Sequence, residues 1–305
     1  MTNHQFNLKP FYLICLAVQV FLFSTCTERK SEQRIVELTD DFGRKVRVVE
    51  KPEKVMALSS SLTEMLYLIC EESKIVGRTH NCDYPPRVLK KEVVSNYPID
   101  YEKLLSLNPD MVFAKEGIVS LEEAQKIESM GIPVYFQKYH QVNDILNGLT
   151  KLGEILNKKE RTAIVVDSLR KDIDKLKASV AGLNKPKVLM LIAKEQLFVF
   201  GKDSYASDML VHAGAINAVD EIFSVPFPQV TSEYILKINP DIMIGLNGVG
   251  LENGELFELY PELKRLDLYK NKKYYPFPED LLSRPGPRAG EAIRQLIKIA
   301  HPDVL

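Results

Sequence analysis

The 305-residue chain has no tryptophan, only four cysteines and five histidines, and no surplus of either charge, with 40 lysines and arginines against 41 aspartates and glutamates. Each scarcity excludes something. A formal charge of −1 removes the basic footprint that nucleic-acid binding requires. Among the histidines, His4 falls in the N-terminal leader and His301 in the tail. His80, His140 and His212 are too widely spaced to carry a metal-site signature. The motifs of common enzymes are also absent: no G-x-S-x-G elbow, no P-loop, no G-x-G-x-x-G after a strand, no H-E-x-x-H and no C-x-x-C. Scattered carboxylates alone do not make a glycosidase. The expectation is therefore a protein without covalent chemistry, resident metal or cofactor.

Long apolar runs are missing too, except at the start. There Phe11 to Phe23 is apolar, preceded by Lys9 and followed by Ser24-Thr25-Cys26 and a polar stretch to Gln33. A run of about 13 residues is short for a membrane span and fits an export signal. The small pair ending in cysteine resembles a bacterial lipoprotein cleavage box, which would make residues 1–26 the signal, Cys26 the lipidated residue and 27–33 a tether. Export leads to an oxidising space, where Cys70 and Cys82 can pair if geometry permits. Equally, Cys70 closes the apolar stretch from Met65 and reads as a small buried residue.

What the chain does have is a duplication. The segment from Leu104 to Phe113, with Asn108-Pro109-Asp110 at its centre, returns as Ile235 to Ile244 around Asn239-Pro240-Asp241. Proline breaks a helix and pushes the preceding residue out of the α region, so each copy predicts a helix end, a turn and a buried strand. The copies lie about 130 residues apart, too far for a solenoid, so whole lobes are repeated. Two α/β lobes make a cleft.

Around this frame, Ile35–Leu38 and Lys45–Val49 predict a hairpin, and Val55–Leu58, Lys74–Arg78 and Gly131–Phe136 predict strands of the first lobe, residues 34–157. Ser61 and Glu64 have capping-box spacing and predict a helix start. From Val142 to Val180 apolar residues recur at three- and four-residue steps, and Lys158 to Val180 alone predicts a helix of roughly 35 Å. That helix, within residues 158–182, is read as a stiff connector to the second lobe, residues 183–305. A stiff connector implies small hinge opening around a preformed cleft.

The signal with its lipid box, two βα lobes, one long connecting helix and the duplicated Asn-Pro-Asp strand together resemble substrate-binding proteins of bacterial ABC importers for cobalamin and ferric siderophores. The resemblance covers about Ile35 to the C-terminus. Asp83-Tyr84-Pro85-Pro86, Gly201-Lys202-Asp203-Ser204, Val225 to Val230 and Pro287-Arg288 look most like the cobalamin-binding branch. It implies a helical-backbone, class III fold and a lipid-anchored monomer outside the cytoplasm. The ligand would be a corrinoid bound between the lobes and passed to a permease dimer with its ATPase. It further implies ligand contacts from Tyr84, Tyr97, Lys115, Lys202, Phe227, Arg284 and Arg288. Tyr97 and Phe227 stand where tryptophans would, and Lys115-Glu116 where an aromatic-arginine pair would. Glu64 and Glu233, each after a Ser/Thr-rich junction, are the implied permease-docking charges; their other reading is helix capping. The alternative ligands are a ferric siderophore, met by Lys115, Lys202, Arg284 and Arg288, or haem, with Tyr84 or His80 as axial ligand.

Overall fold

The computed structural model describes residues 1–2 and 34–304; the expected signal, Cys26 and the tether lie outside the described residues. No described helix is long and apolar enough to cross a membrane. The hairpin forms as expected, β1 (Ile35–Thr39) antiparallel to β2 (Lys45–Val49). Asp40 shapes its turn by accepting from the N–H groups of Phe42 and Arg44 at 3.0 and 2.9 Å.

Next come β3 (Val55–Ala57) and α1 (Ser60–Ile69). Here the expected capping box is corrected. The N-cap is Ser59, whose hydroxyl accepts from Leu62 N–H at 3.4 Å, so α1 begins earlier than expected and Glu64 is released from any capping duty. The strand expected over Lys74–Arg78 is reduced to isolated bridges, Val55 with Ile75 and Arg78 with Val93. The remaining elements of the lobe are α2 (Tyr101–Leu107), β4 (Met111–Lys115), α3 (Leu121–Ser129), β5 (Val134–Gln137) and α4 (Val142–Ile155). Its sheet runs β3-β4-β5, all parallel, so β4 is covered on both faces and reads as an unbroken apolar run.

The predicted connector is not continuous with α4. Asn157 adopts φ 54°, which ends one helix, and α5 (Lys159–Ser179) starts anew for 21 residues, about 32 Å at 1.5 Å per residue. The two helices interlock at Gly153, where a Cβ would stand 2.3 Å from the Thr162 hydroxyl.

The second lobe comprises β6 (Lys187–Ala193), β7 (Phe198–Val199), α6 (Tyr205–His212), β8 (Ile216–Asn217), α7 (Ser232–Ile238), β9 (Ile242–Leu246), α8 (Glu255–Leu259), α9 (Asp267–Lys270), β10 (Tyr274–Phe277), α10 (Glu279–Ser283) and α11 (Ala289–Ala300). Its sheet runs β10-β9-β6-β7 with β8 also on β6; only the β6–β7 pair is antiparallel.

The repeat holds at atomic detail. Asp100 caps α2 by accepting from Lys103 N–H at 2.9 Å, and Thr231 caps α7 by accepting from Tyr234 N–H at 3.2 Å. Asn108 and Asn239 end these helices in the left-handed region, with φ 47° and 44°. Each turn aspartate then ties its strand to the neighbour. Asp110 accepts from Glu53 and Lys54 N–H at 2.7 and 2.8 Å, and Asp241 from Lys187 N–H at 2.7 Å. Cys70 and Cys82 are free and buried, each with its own partners: Cys70 donates to Leu66 O at 3.0 Å, and Cys82 lies 3.1 Å from the Thr79 hydroxyl.

Candidate ligand-binding cleft

Ligands of parallel sheets bind beyond the carboxyl ends of the strands. In lobe 1 those ends deliver Lys115 at the end of β4 with Glu116 just after it, and Tyr139 and His140 after β5. In lobe 2 they face Phe198, Phe200 and the loops around Lys202 and Phe227 across a cavity of about 830 Å³. That volume lies in the upper part of the range for ligand pockets, roughly 300–1,000 Å³. Another depression, about 470 Å³, sits beside the β1–β2 hairpin and α4 and does not involve lobe 2.

The two walls differ. On lobe 1 the Lys115 ammonium donates to the Glu116 carbonyl at 3.3 Å, and burial holds it below the ordinary lysine range. Glu116 faces Lys138 at 3.5 Å and His140 Nε2 at 2.9 Å. Tyr139 is buried, its hydroxyl donating to Gln137 Oε1, and desolvation pushes its phenol well up. On lobe 2 the loop carrying Phe227 is pinned to the strand edge: Val199 N–H donates to Pro228 O at 3.0 Å and Gly201 N–H to Pro226 O at 2.9 Å. This sets Phe227 edge-on to Phe200 with ring centres 5.5 Å apart.

Arg284, Arg288 and Tyr84 gather elsewhere, in an ion-pair cluster next to the cavity. Arg288 grips Glu64 with two hydrogen bonds, at 2.9 and 2.7 Å. Its guanidinium also lies 4.6 Å from the Tyr84 ring centre. Arg284 donates to Asp83 at 2.6 Å and pairs with Asp280 at 2.7 Å. Glu64 and Asp83 belong to lobe 1 and both arginines to lobe 2, so the cluster ties the lobes together. The loop carrying it touches the cavity through Ser283 and Pro285. Burial raises the Glu64 carboxyl, with Arg288 acting against it. A further tie joins Asp208 of α6 to the first N–H of α4, at Val142, at 2.7 Å.

Of the residues expected at the site, Lys115, Lys202 and Phe227 line the cavity. Tyr84, Arg284 and Arg288 line the tie instead, and Tyr97 is 92% exposed and not among the cavity's lining residues. The haem-ligand candidate His80 is also outside the cavity lining. Glu64 is only 3% exposed, so its carboxylate is committed to Arg288 and is not presented for docking. The repeat itself identifies the residue that matches Glu233. Glu102 on α2 and Glu233 on α7 both lie eight places before their turn aspartates, and both are exposed. Counting back from Asp110 and Asp241 finds this pair in the sequence. Glu116 lines the cavity beside Lys115, while His140, Phe198, Phe200 and Phe223 were missed; the signal for His140 was its place just past an apolar strand.

A cavity thus lies between two βα lobes bridged by one long helix, an arrangement suited to holding a solute. The chain belongs to the periplasmic binding protein family, whose profile matches residues 55–281. It is 27% identical over 283 residues to an uncharacterized ABC transporter substrate-binding lipoprotein, YvrC, of Bacillus subtilis, covering 90% of this chain and 88% of that one. It is 24% identical over 245 residues to the vitamin B12-binding protein of Vibrio vulnificus, covering 80% and 88%. Among solved structures, a possible iron-binding periplasmic solute-binding protein of Staphylococcus epidermidis superposes with TM-score 0.74 at 26% identity, over 82% of this chain and 99% of that one. This chain is accordingly a substrate-binding protein of the ABC-importer type and not an enzyme.

Proposed function

We propose that the chain captures a corrinoid between its lobes and delivers it to an ABC permease from a lipid anchor at Cys26. The observation that carries this reading is the character of the cavity: large, faced by phenylalanines, and near charge balance. Lys115 and Lys202 are matched in number by Glu116 and Asp203 among its lining residues. A net-negative ferric catecholate calls for a surplus of cations, and the two arginines the sequence offered for it are already held by Glu64, Asp83 and Asp280. Neither sequence candidate for a haem axial ligand, Tyr84 or His80, is among the cavity's lining residues. A corrinoid instead brings its metal fully ligated and offers a broad apolar face with an amide rim. The similarity to a vitamin B12-binding protein supports the same reading.

Delivery rests on two fixed charges. Glu102 and Glu233 stand at equivalent places on the two lobes, exposed, on short helices locked by their caps and turns. Charges held so give register and steering to a docking partner. The ligand is tested by calorimetric titration of the purified chain with cyanocobalamin, haemin and a ferric catecholate siderophore. Saturable one-to-one binding of cyanocobalamin alone is expected. Binding of only the iron compounds would reassign the ligand while leaving the transport class intact.

A further inference from the structure

One half-buried cation in the cavity, Lys115, has no counter-charge of its own among the described residues. Lys115 ends β4, the middle strand of its sheet, where pairing with Gln137 of β5 fixes its backbone. Its half-buried side chain lines the cavity. Among the described residues no carboxylate lies within 4.0 Å of its ammonium, whose one hydrogen bond is to the Glu116 carbonyl at 3.3 Å. The carboxylate of Glu116, the nearest in sequence, faces Lys138 and His140 instead. Across the cleft stand Lys202 and Asp203, and the phenylalanine wall. A cation withdrawn from water without a counter-charge is costly unless something else pairs with it. Burial depresses its protonation, as expected of a group whose partner is missing from the protein itself.

We propose that Lys115 receives an anionic substituent, a carboxylate or a phosphate, on the rim of a ligand whose apolar face rests on the phenylalanines of lobe 2. This deepens the reading given above, a broad ring seated between the lobes, and rests on it. The cleft then sets orientation as well as identity: the acid points to lobe 1 and the ring lies against lobe 2. Pairing of the ammonium with the acid also selects complete ligands over analogues that lack the acid.

The test uses two pairs of probes. Cyanocobalamin carries a phosphate that dicyanocobinamide lacks; haemin carries two propionates that its dimethyl ester masks. The ester masks only the acid, while the cobinamide loses the phosphate together with its ribose and base, so the effect of Lys115→Met on each preference is what assigns it to the acid. The full chain and its Lys115→Met and Lys115→Arg variants are titrated with all four. The expected result is that wild type prefers the acid-bearing member of one pair by about tenfold or more, that Lys115→Met abolishes the preference, and that Lys115→Arg keeps it. Which pair responds tells phosphate from carboxylate. The empty Lys115→Met protein should melt no lower than wild type. A lysine whose folded-state pKa is depressed costs stability at neutral pH, because the unfolded chain binds the proton more readily. Equal binding of both members of each pair by wild type, or loss of both equally in Lys115→Met, overturns the role of Lys115 and leaves the macrocycle site standing. Failure of all four to bind wild type overturns both.

Discussion

Asn108 in lobe 1 and Asn239 in lobe 2 occupy the same place in the same unit: a capped helix, an asparagine in the left-handed region, an aspartate bonded to the preceding strand, then a buried strand. Beyond those strands the likeness stops. Lobe 1 turns Lys115, Glu116 and His140 toward the cavity, and lobe 2 turns Phe198, Phe200 and Phe227. The outward frame is repeated while the inward faces have diverged. The difference teaches where function sits in this chain. The turns satisfy backbone geometry and are replaceable only by residues with the same freedom. The facing walls, charged groups on one side and phenylalanines on the other, suit the two-sided ligand proposed above.

The comparison is broken most severely by separating the lobes. Arg288→Met leaves the nearly inaccessible Glu64 carboxylate with only Arg284, at 3.7 Å. Stripping one partner from a buried pair costs about 3–5 kcal/mol, and the remaining arginine places this case near 3 kcal/mol. Urea denaturation measures it. Replacing both partners, Glu64→Leu with Arg288→Met, should cost less than the sum of the single changes by 1 kcal/mol or so. Additive losses would mean that the tie is incidental.

The comparison is sharpened at the repeated turns. Asn108→Ala and Asn239→Ala each keep a Cβ in the left-handed region but lose asparagine's intrinsic tolerance of it, at a cost of about 1 kcal/mol, and Asn→Gly at either position should cost far less. Matching losses in thermal melts of the two alanine variants would show that the lobes use the turn alike. Strongly unequal losses would show that one copy has drifted.

The frame was legible because it is local. Proline and asparagine act within a few residues, and an apolar run of five reports a doubly covered strand without knowledge of its neighbours. The division of charges was not. Glu64 reads as a cap or a surface charge until Arg288, 224 residues away, is brought over it. Tyr84 and the two arginines, expected to meet the ligand, lie in the tie, because whether an arginine faces ligand or carboxylate depends on what the other lobe brings to it. Tyr97 was placed by likeness to other chains, and local sequence carries no sign of its exposure. Glu102 is legible in the repeat, which pairs it with Glu233, whereas Glu64 shares with Glu233 only its Ser/Thr-rich surroundings.

A smaller effect concerns the remaining tie. Although burial acts the other way, the His212 ring, its Nε2 at 3.6 Å, and the hydrogen bond from the Val142 N–H hold the Asp208 carboxyl below its ordinary 3.8. As pH falls through that value the unfolded chain takes up the proton first. The stability Asp208 supplies is therefore fully present above pH 3.8 and is lost toward the depressed folded-state value. Asp208→Asn should cost about 0.5–1 kcal/mol at pH 7, with the deficit shrinking in melts taken below pH 3.8. A deficit unchanged with pH would show that the charge contributes nothing to joining the lobes.

The central claim, that ligand lies on the phenylalanine wall between the lobes, is tested most directly by titrating cyanocobalamin into wild type, Phe227→Ala and Tyr97→Ala side by side. Loss of one aromatic face removes roughly 1.4 kcal/mol, about tenfold in affinity. The account predicts that weakening for Phe227→Ala and unchanged affinity for Tyr97→Ala. Weakening by Tyr97→Ala with Phe227→Ala silent would contradict it and move the site out of the cavity.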